Sequence, residues 1–143
     1  MQSVVEGFVA GFPDFLISTA AAGLLLLAAS VIYILLTPWK ELALVRGGNG
    51  AAGIALSGAI IGLAVPITSA LASSHNVLDL VIWGTVALLL QLIAYRIVDM
   101  ILRDIPKRIE QDDPSAAIVL ATAKISCAML LAAGLWDPSL ARF

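Results

Sequence analysis

This sequence predicts an all-α integral membrane fold with four transmembrane helices, and three observations lead there. The chain is 61% hydrophobic and only 13% charged, with a mean hydropathy of +1.03. Soluble domains run nearer half apolar and a quarter charged. Four stretches, near residues 15–36, 50–72, 77–98 and 115–136, match the roughly 20 residues a helix needs to cross a hydrocarbon core. Each stretch also opens on its own helix-start signal. Residues 1–143 therefore read as a single membrane domain.

The first span follows Pro13-Asp14, a start with an acid at the positive end of the helix. The second begins after Gly47-Gly48-Asn49, with Asn49 as N-cap. Ser74-His75-Asn76 opens the third and places Asp79 in its first turn, and Asp113-Pro114-Ser115 opens the fourth with Asp as cap and Pro at the first helical position. The N-terminal MQSVVEGFVAGFPDF lacks the positive region of a removable signal, so the chain is read as mature and integral.

Lys and Arg set the expected orientation. Lys40 and Arg46 lie between the first two spans, and Arg96, Arg103, Lys107 and Arg108 lie at or beyond the end of the third. The connection Ser73–Asn76 and the N-terminal arm have none, and the tail has only Arg142. The positive-inside rule places both charged connections in the cytoplasm and both termini outside. Phe8, Phe12, Phe15 and Trp136 are then expected at the outer interface, and Trp39, Tyr33 and Tyr95 at the inner one. Within the connection Pro38–Arg46, Trp39, Leu42 and Val45 form an apolar stripe suited to the interface. The second connection, DMILRDIPKRIEQDD, reads as a helix that leaves the membrane and breaks near Pro106. Its basic residues suit anionic lipid or a partner, although an ordinary solvated loop is the simpler reading.

A weak internal repeat underlies the pattern. Residues 25–33 resemble 87–95, so that Tyr33 falls on Tyr95, and 49–61 resemble 113–125, with Ala52, Ile54 and Leu56 on Ala116, Ile118 and Leu120. Repeat one spans about 14–72 and repeat two about 76–136. Each holds two spans, so the expected arrangement is two parallel two-helix repeats about an axis along the membrane normal.

Small residues mark the second span as a packing helix. Gly58 and Gly62 make a GxxxG step that Gly53 extends, and Ala117, Ala121, Ala128 and Ala132 do the same on the fourth span. Such faces serve a dimer interface, a lined pathway or a contact within one chain. Lys124 is the most unusual residue, a charge near mid-bilayer that costs about 2.5–3.5 kcal/mol unless it snorkels, pairs or faces a cavity. No acid lies in a span centre to pair with it, while Gln91 and Ser57 lie in the same inner half as candidate partners. Lys124, Gln91 and Ser57 thus form a candidate polar intramembrane site, with Lys124 as anion contact or proton site, or simply as a snorkelling structural residue.

Other chemistry is sparse. His75 stands alone in a loop, Cys127 reads as a small packing residue, and no nucleophile–base pair, phosphate loop or carboxylate cluster is visible. A net charge of -2 does not suit nucleic acid. No catalytic residue, metal or cofactor is expected.

The run TPWKELALVRGGNGAAGIALSGAIIGLAVPITSAL resembles the signature region of the YjfL-like bacterial inner-membrane proteins, through Thr37-Pro38, Glu41, Arg46, Asn49, Ala51-Ala52, Gly58 and Gly62. The second repeat departs from that signature at Asp113-Pro114-Ser115. The family is a domain of unknown function, so the resemblance carries over no site residue. Its members look like small membrane proteins often encoded near phage-shock-like or flotillin-like envelope proteins, which implies a role in envelope maintenance or stress. The leading expectation is a non-enzymatic inner-membrane protein that forms homo-oligomers or binds membrane-protein partners in the lipid bilayer. The alternatives are a small ion or solute channel or transporter, or an accessory subunit of a larger membrane complex.

Overall fold

The computed structural model describes residues 1–37 and 39–136. Pro38, and the tail with Arg142, lie outside the described residues. The elements run α1 (Gln2–Leu36), α2 (Glu41–Arg46), α3 (Gly50–Ser73), α4 (Val77–Ile101), α5 (Ile105–Glu110) and α6 (Pro114–Leu135). Of these, α1, α3, α4 and α6 are long and apolar enough to cross a membrane. The short α2 and α5 occupy the two charged connections.

The cap residues act through their side chains. Asn49 Oδ1 accepts from Ala52 N at 2.7 Å, Asn76 Oδ1 from Asp79 N at 2.9 Å, and Asp113 Oδ1 from Ser115 N at 3.0 Å. Each satisfies a donor that the first helical turn leaves open.

One start differs from expectation. Helix α1 begins at Gln2 rather than after Pro13, which it contains. Proline removes one helical hydrogen bond, but a helix through the apolar region satisfies every other backbone group. The helix expected to break near Pro106 does so: α4 runs on to Ile101, the chain leaves the helix at 102–104, and α5 restarts at Ile105 with Pro106 in its first turn, where its missing N–H has no partner to lose.

Helix α3 is the centre of the bundle. It touches α1, α2, α4, α5 and α6, most closely α6. Ala117, Leu120, Ala121, Lys124 and Ala128 recur at helical spacing on the buried face of α6. Opposite them, a β-carbon on Gly58 would overlap Ala121, and one on Gly62 would overlap the Tyr95 hydroxyl. Gly53 has nothing within 4 Å of where its β-carbon would stand, so it lies outside this close contact.

The inner-interface placement expected for Trp39, Tyr33 and Tyr95 is not what forms. All three are buried inside the chain. Trp39 joins Ala51, Ala52, Ala55, Val98 and Ile109 in one cluster. Three alanines leave room that an indole fills, and close packing against them supplies dispersion contacts of the kind that hold helices together where lipid offers no hydrophobic contrast. The two charged connections meet at the same end of the bundle: Asn49 Nδ2 donates to Ile109 O at 2.9 Å, and Ala51 N donates to Asp112 Oδ1 at 2.8 Å.

Candidate functional site

Lys124 lies in the middle of the α6 packing face and is wholly buried. Side chains on a helix lean toward its N-terminus, so this one reaches toward the end with the charged connections. There Nζ donates to Tyr33 OH at 3.0 Å and lies 3.1 Å from Asp99 Oδ1. The Asp99 contact is ionic in its separation but lies outside hydrogen-bond geometry. Tyr33 and Tyr95 pack edge-to-face with centroids 5.6 Å apart, and Nζ sits 4.7 Å and 4.9 Å from their rings. Two ring faces and one carboxylate thus replace the water the ammonium has lost.

The sequence-derived trio does not assemble as expected. Gln91 is buried but donates from Nε2 to the backbone carbonyl of Lys124 at 3.2 Å, not to its ammonium. Ser57 is exposed on α3 and contributes nothing to the site; the α3 residue beside it, Gly58, is the one turned to α6. The acid partner is Asp99, which the sequence places just outside its span. In the folded chain α4 runs to Ile101, and Gln91, Tyr95 and Asp99, four residues apart, share one face. That polar ladder was the available signal.

Glu41 is the second residue that the sequence left outside the candidate site, where it stood only as an interfacial charge and an element of the signature run. It opens α2 and is 1% exposed. Burial pushes its carboxyl up to about 7; Tyr33 and the Lys124 charge act in the opposite direction, and Asp99 adds to the rise. Neither carboxylate oxygen meets hydrogen-bond geometry with a donor, and the Tyr33 hydroxyl is the polar group near enough to hold the carboxyl down. Nothing in ELALVR marks this glutamate for burial, because a charged residue in a short connection is ordinarily solvated.

Chemically the cluster holds two carboxyls, one ammonium and a phenol; Lys124 and Glu41 are buried, and Asp99 keeps partial exposure. Among the described residues, no group of three or more His, Cys, Asp or Glu side chains is placed to hold a metal ion. A notch of about 10 Å³ at Tyr33, Thr37, Tyr95, Arg96 and Asp99 is no larger than one water. A groove of about 460 Å³ lined by Ile34, Thr37, Lys40, Glu41 and Arg46 lies along α1 and α2 and shares Thr37 with the notch.

Four apolar crossings with a charge cluster between them define a multi-pass α-helical membrane protein. The chain belongs to the family described as Domain of Unknown Function (DUF350), which matches residues 7–135. It is 30% identical over 95 residues to the UPF0719 inner membrane protein YjfL of Escherichia coli (strain K12), covering 66% of this chain and 72% of that relative. The protein of the same name from Escherichia coli O157:H7 matches to the same extent. No solved structure matches. With those relatives and its four apolar helices, this is a multi-pass inner-membrane protein.

Proposed function

We propose that this is a non-enzymatic inner-membrane protein that works by assembly, with a second copy or another membrane protein, in maintenance of the envelope. The observation that carries this reading is the N-terminal stem of α1. Pro13–Leu36 already equals the 24 residues of α3, so residues 2–12 add about 16 Å of helix, and every one of them is exposed among the described residues. That stem exposes large apolar side chains beside Gln2, Ser3 and Glu6: Val4, Val5, Phe8 and Val9 are each more than half exposed. The Phe8, Phe12 and Phe15 rings follow one another along it with centroids 5.0 Å and 6.3 Å apart. A helix longer than the hydrocarbon thickness must tilt or find cover, and a protein neighbour supplies cover that water does not.

Two further readings accompany it. Lys and Arg concentrate in the connections that hold α2 and α5, which supports a cytoplasmic position for those connections and outward termini. The order long–short–long occurs twice, and each short helix is followed by a positive-φ residue and a cap, Gly48-Asn49 and Asp112-Asp113. That correspondence supports duplication of a unit spanning about 14–72 and 76–136.

The test is co-purification after gentle extraction of the full chain, comparing wild type with Phe8→Glu/Phe12→Glu. A second copy or defined membrane protein should accompany the wild type and be lost from the variant. A wild-type protein that is monomeric and partner-free in native membranes, by in-membrane cross-linking, overturns the reading.

A further inference from the structure

We propose that Glu41, with Tyr33, Asp99 and Lys124, forms a buried proton-binding site at the charged end of the bundle. Lys124 is fully buried and paired with Asp99, which uses the only ammonium in the cluster. Glu41 then remains as a second carboxyl, 1% exposed, with both oxygens unpartnered. An ionised carboxylate without donors is among the costliest groups to bury, and such a group takes up a proton instead. One proton on Glu41 brings the cluster to neutrality: one carboxylate, one ammonium, one carboxylic acid and one phenol.

Every element around Glu41 agrees with this. From α1 comes Tyr33, whose oxygen accepts from Lys124 at 3.0 Å. Helix α3 carries no ionisable side chain at all. From α4 come Asp99, Tyr95 and Arg96, but Arg96 is exposed and donates to Leu36 O at 3.2 Å, while the Tyr95 hydroxyl donates to Ala59 O at 2.7 Å. From α6 come Lys124 and, beside Tyr95, Cys127. On α2 itself Arg46, with Lys40 just before it, is exposed to solvent. Among the described residues, no second cation is paired with Glu41. The upward displacement of its carboxyl to about 7 accords with this geometry.

Exchange with water has a route. Glu41 forms part of the wall of the groove along α1 and α2, and Asp99 lines the notch that fits one water. The proton comes from the aqueous phase at this end of the bundle and binds a carboxylate oxygen of Glu41. Tyr33 stands between Glu41 and the Lys124–Asp99 pair, so each end of the cluster feels the protonation state of the other.

The experiment is a pH titration of the full chain in liposomes by infrared difference spectroscopy, with and without sodium. Wild type should show a carboxylic-acid carbonyl band that disappears with a midpoint near 7, unaffected by sodium. Glu41→Gln should lack the band, and Asp99→Asn should move the midpoint down, since it removes a like charge and frees Lys124. A wild-type midpoint in the ordinary range near 4.5 overturns the proposal, and it needs no variant to fold. A band that survives Glu41→Gln, or a proton displaced by sodium at fixed pH, also overturns it. The stem-mediated assembly proposed above can fail without altering any of these outcomes.

Discussion

The hydroxyl of Tyr95 stands where a side chain on residue 62 would begin, so Gly62 and Tyr95 are a matched pair. Without a β-carbon at Gly62, the Tyr95 hydroxyl comes close against the α3 backbone and donates to Ala59 O at 2.7 Å. That bond fixes the ring that forms one wall of the Lys124 enclosure. The GxxxG step thus does more than bring two helices together. Gly58 admits α6 at Ala121, and Gly62, one turn later, admits an aromatic ring from α4.

Alanine at either glycine should therefore be costly. Gly58→Ala meets the β-carbon and the backbone of Ala121, which cannot swing aside, and Gly62→Ala displaces the Tyr95 hydroxyl from its acceptor. Each is expected to destabilise the chain by about 1–3 kcal/mol, the cost of overpacking. Gly53→Ala, with open space at its β-carbon, should be neutral or slightly stabilising through helix propensity. Denaturant unfolding in mixed micelles would separate the three, and equal costs at all three positions would refute the contact geometry.

Removing the charge from Lys124 should leave Asp99 without its partner in a mostly dry site. Lys124→Met is expected to cost about 3–5 kcal/mol, as for breaking a buried pair. Adding Asp99→Asn should recover part of that loss, because the orphaned charge goes with it. The double-mutant cycle is the measurement. Strictly additive effects would mean that the 3.1 Å contact carries no coupling.

Much of the fold was legible because hydropathy and caps are local. The end of α1 and the bounds of α3, α4 and α6 fall within a few residues of the stretches read from composition, and Asn49, Asn76 and Asp113 cap as their residue types suggest. The site was only half legible. Lys124 stands out in any apolar helix, but its partners are decided by where a long side chain leans and where α4 stops. Moving the end of α4 by three residues, from 98 to 101, turns Asp99 from a loop acid into an ion-pair partner. Glu41 and Trp39 were illegible for another reason: a short connection folded back over the bundle end buries residues whose sequence context reads as exposed. The start of α1 was misread because Pro13 and Asp14 mimic a helix start within a longer helix.

Asn49 does two tasks at once, and its removal should report both. Its Oδ1 caps α3 at Ala52 N, while its Nδ2 donates to Ile109 O across the two connections. Asn49→Ala should cost about 1–2 kcal/mol from the cap alone. Asn49→Asp keeps an acceptor for the cap but loses the donor, so its effect isolates the cross-connection bond. Hydrogen exchange should then rise in α5 for both variants, and in the first turn of α3 only for the alanine variant. Unchanged exchange in α5 would show that the two connections are held together without Asn49.

Stability should respond to pH in opposite senses at two carboxyls. The Glu41 carboxyl is raised from 4.5 to about 7, so the folded chain holds its proton while the unfolded chain releases it. Stability from this group is complete below 4.5 and declines as pH rises through about 7, by on the order of 3 kcal/mol across the window. Asp113 behaves inversely: hydrogen bonds from Ser115 and Arg108 hold it down from 3.8 to about 2, so its contribution is present above 3.8 and is lost as pH falls toward 2. Arg108 Nη2 lies 2.6 Å from Asp113 Oδ2 in an exposed pair, and salt should weaken that contribution. Unfolding midpoints measured across both windows should therefore fall at each extreme. Glu41→Gln should flatten the upper decline alone, and Asp113→Asn the lower one alone. If Glu41→Gln leaves the decline toward neutral pH in place, the proton responsible sits on another group.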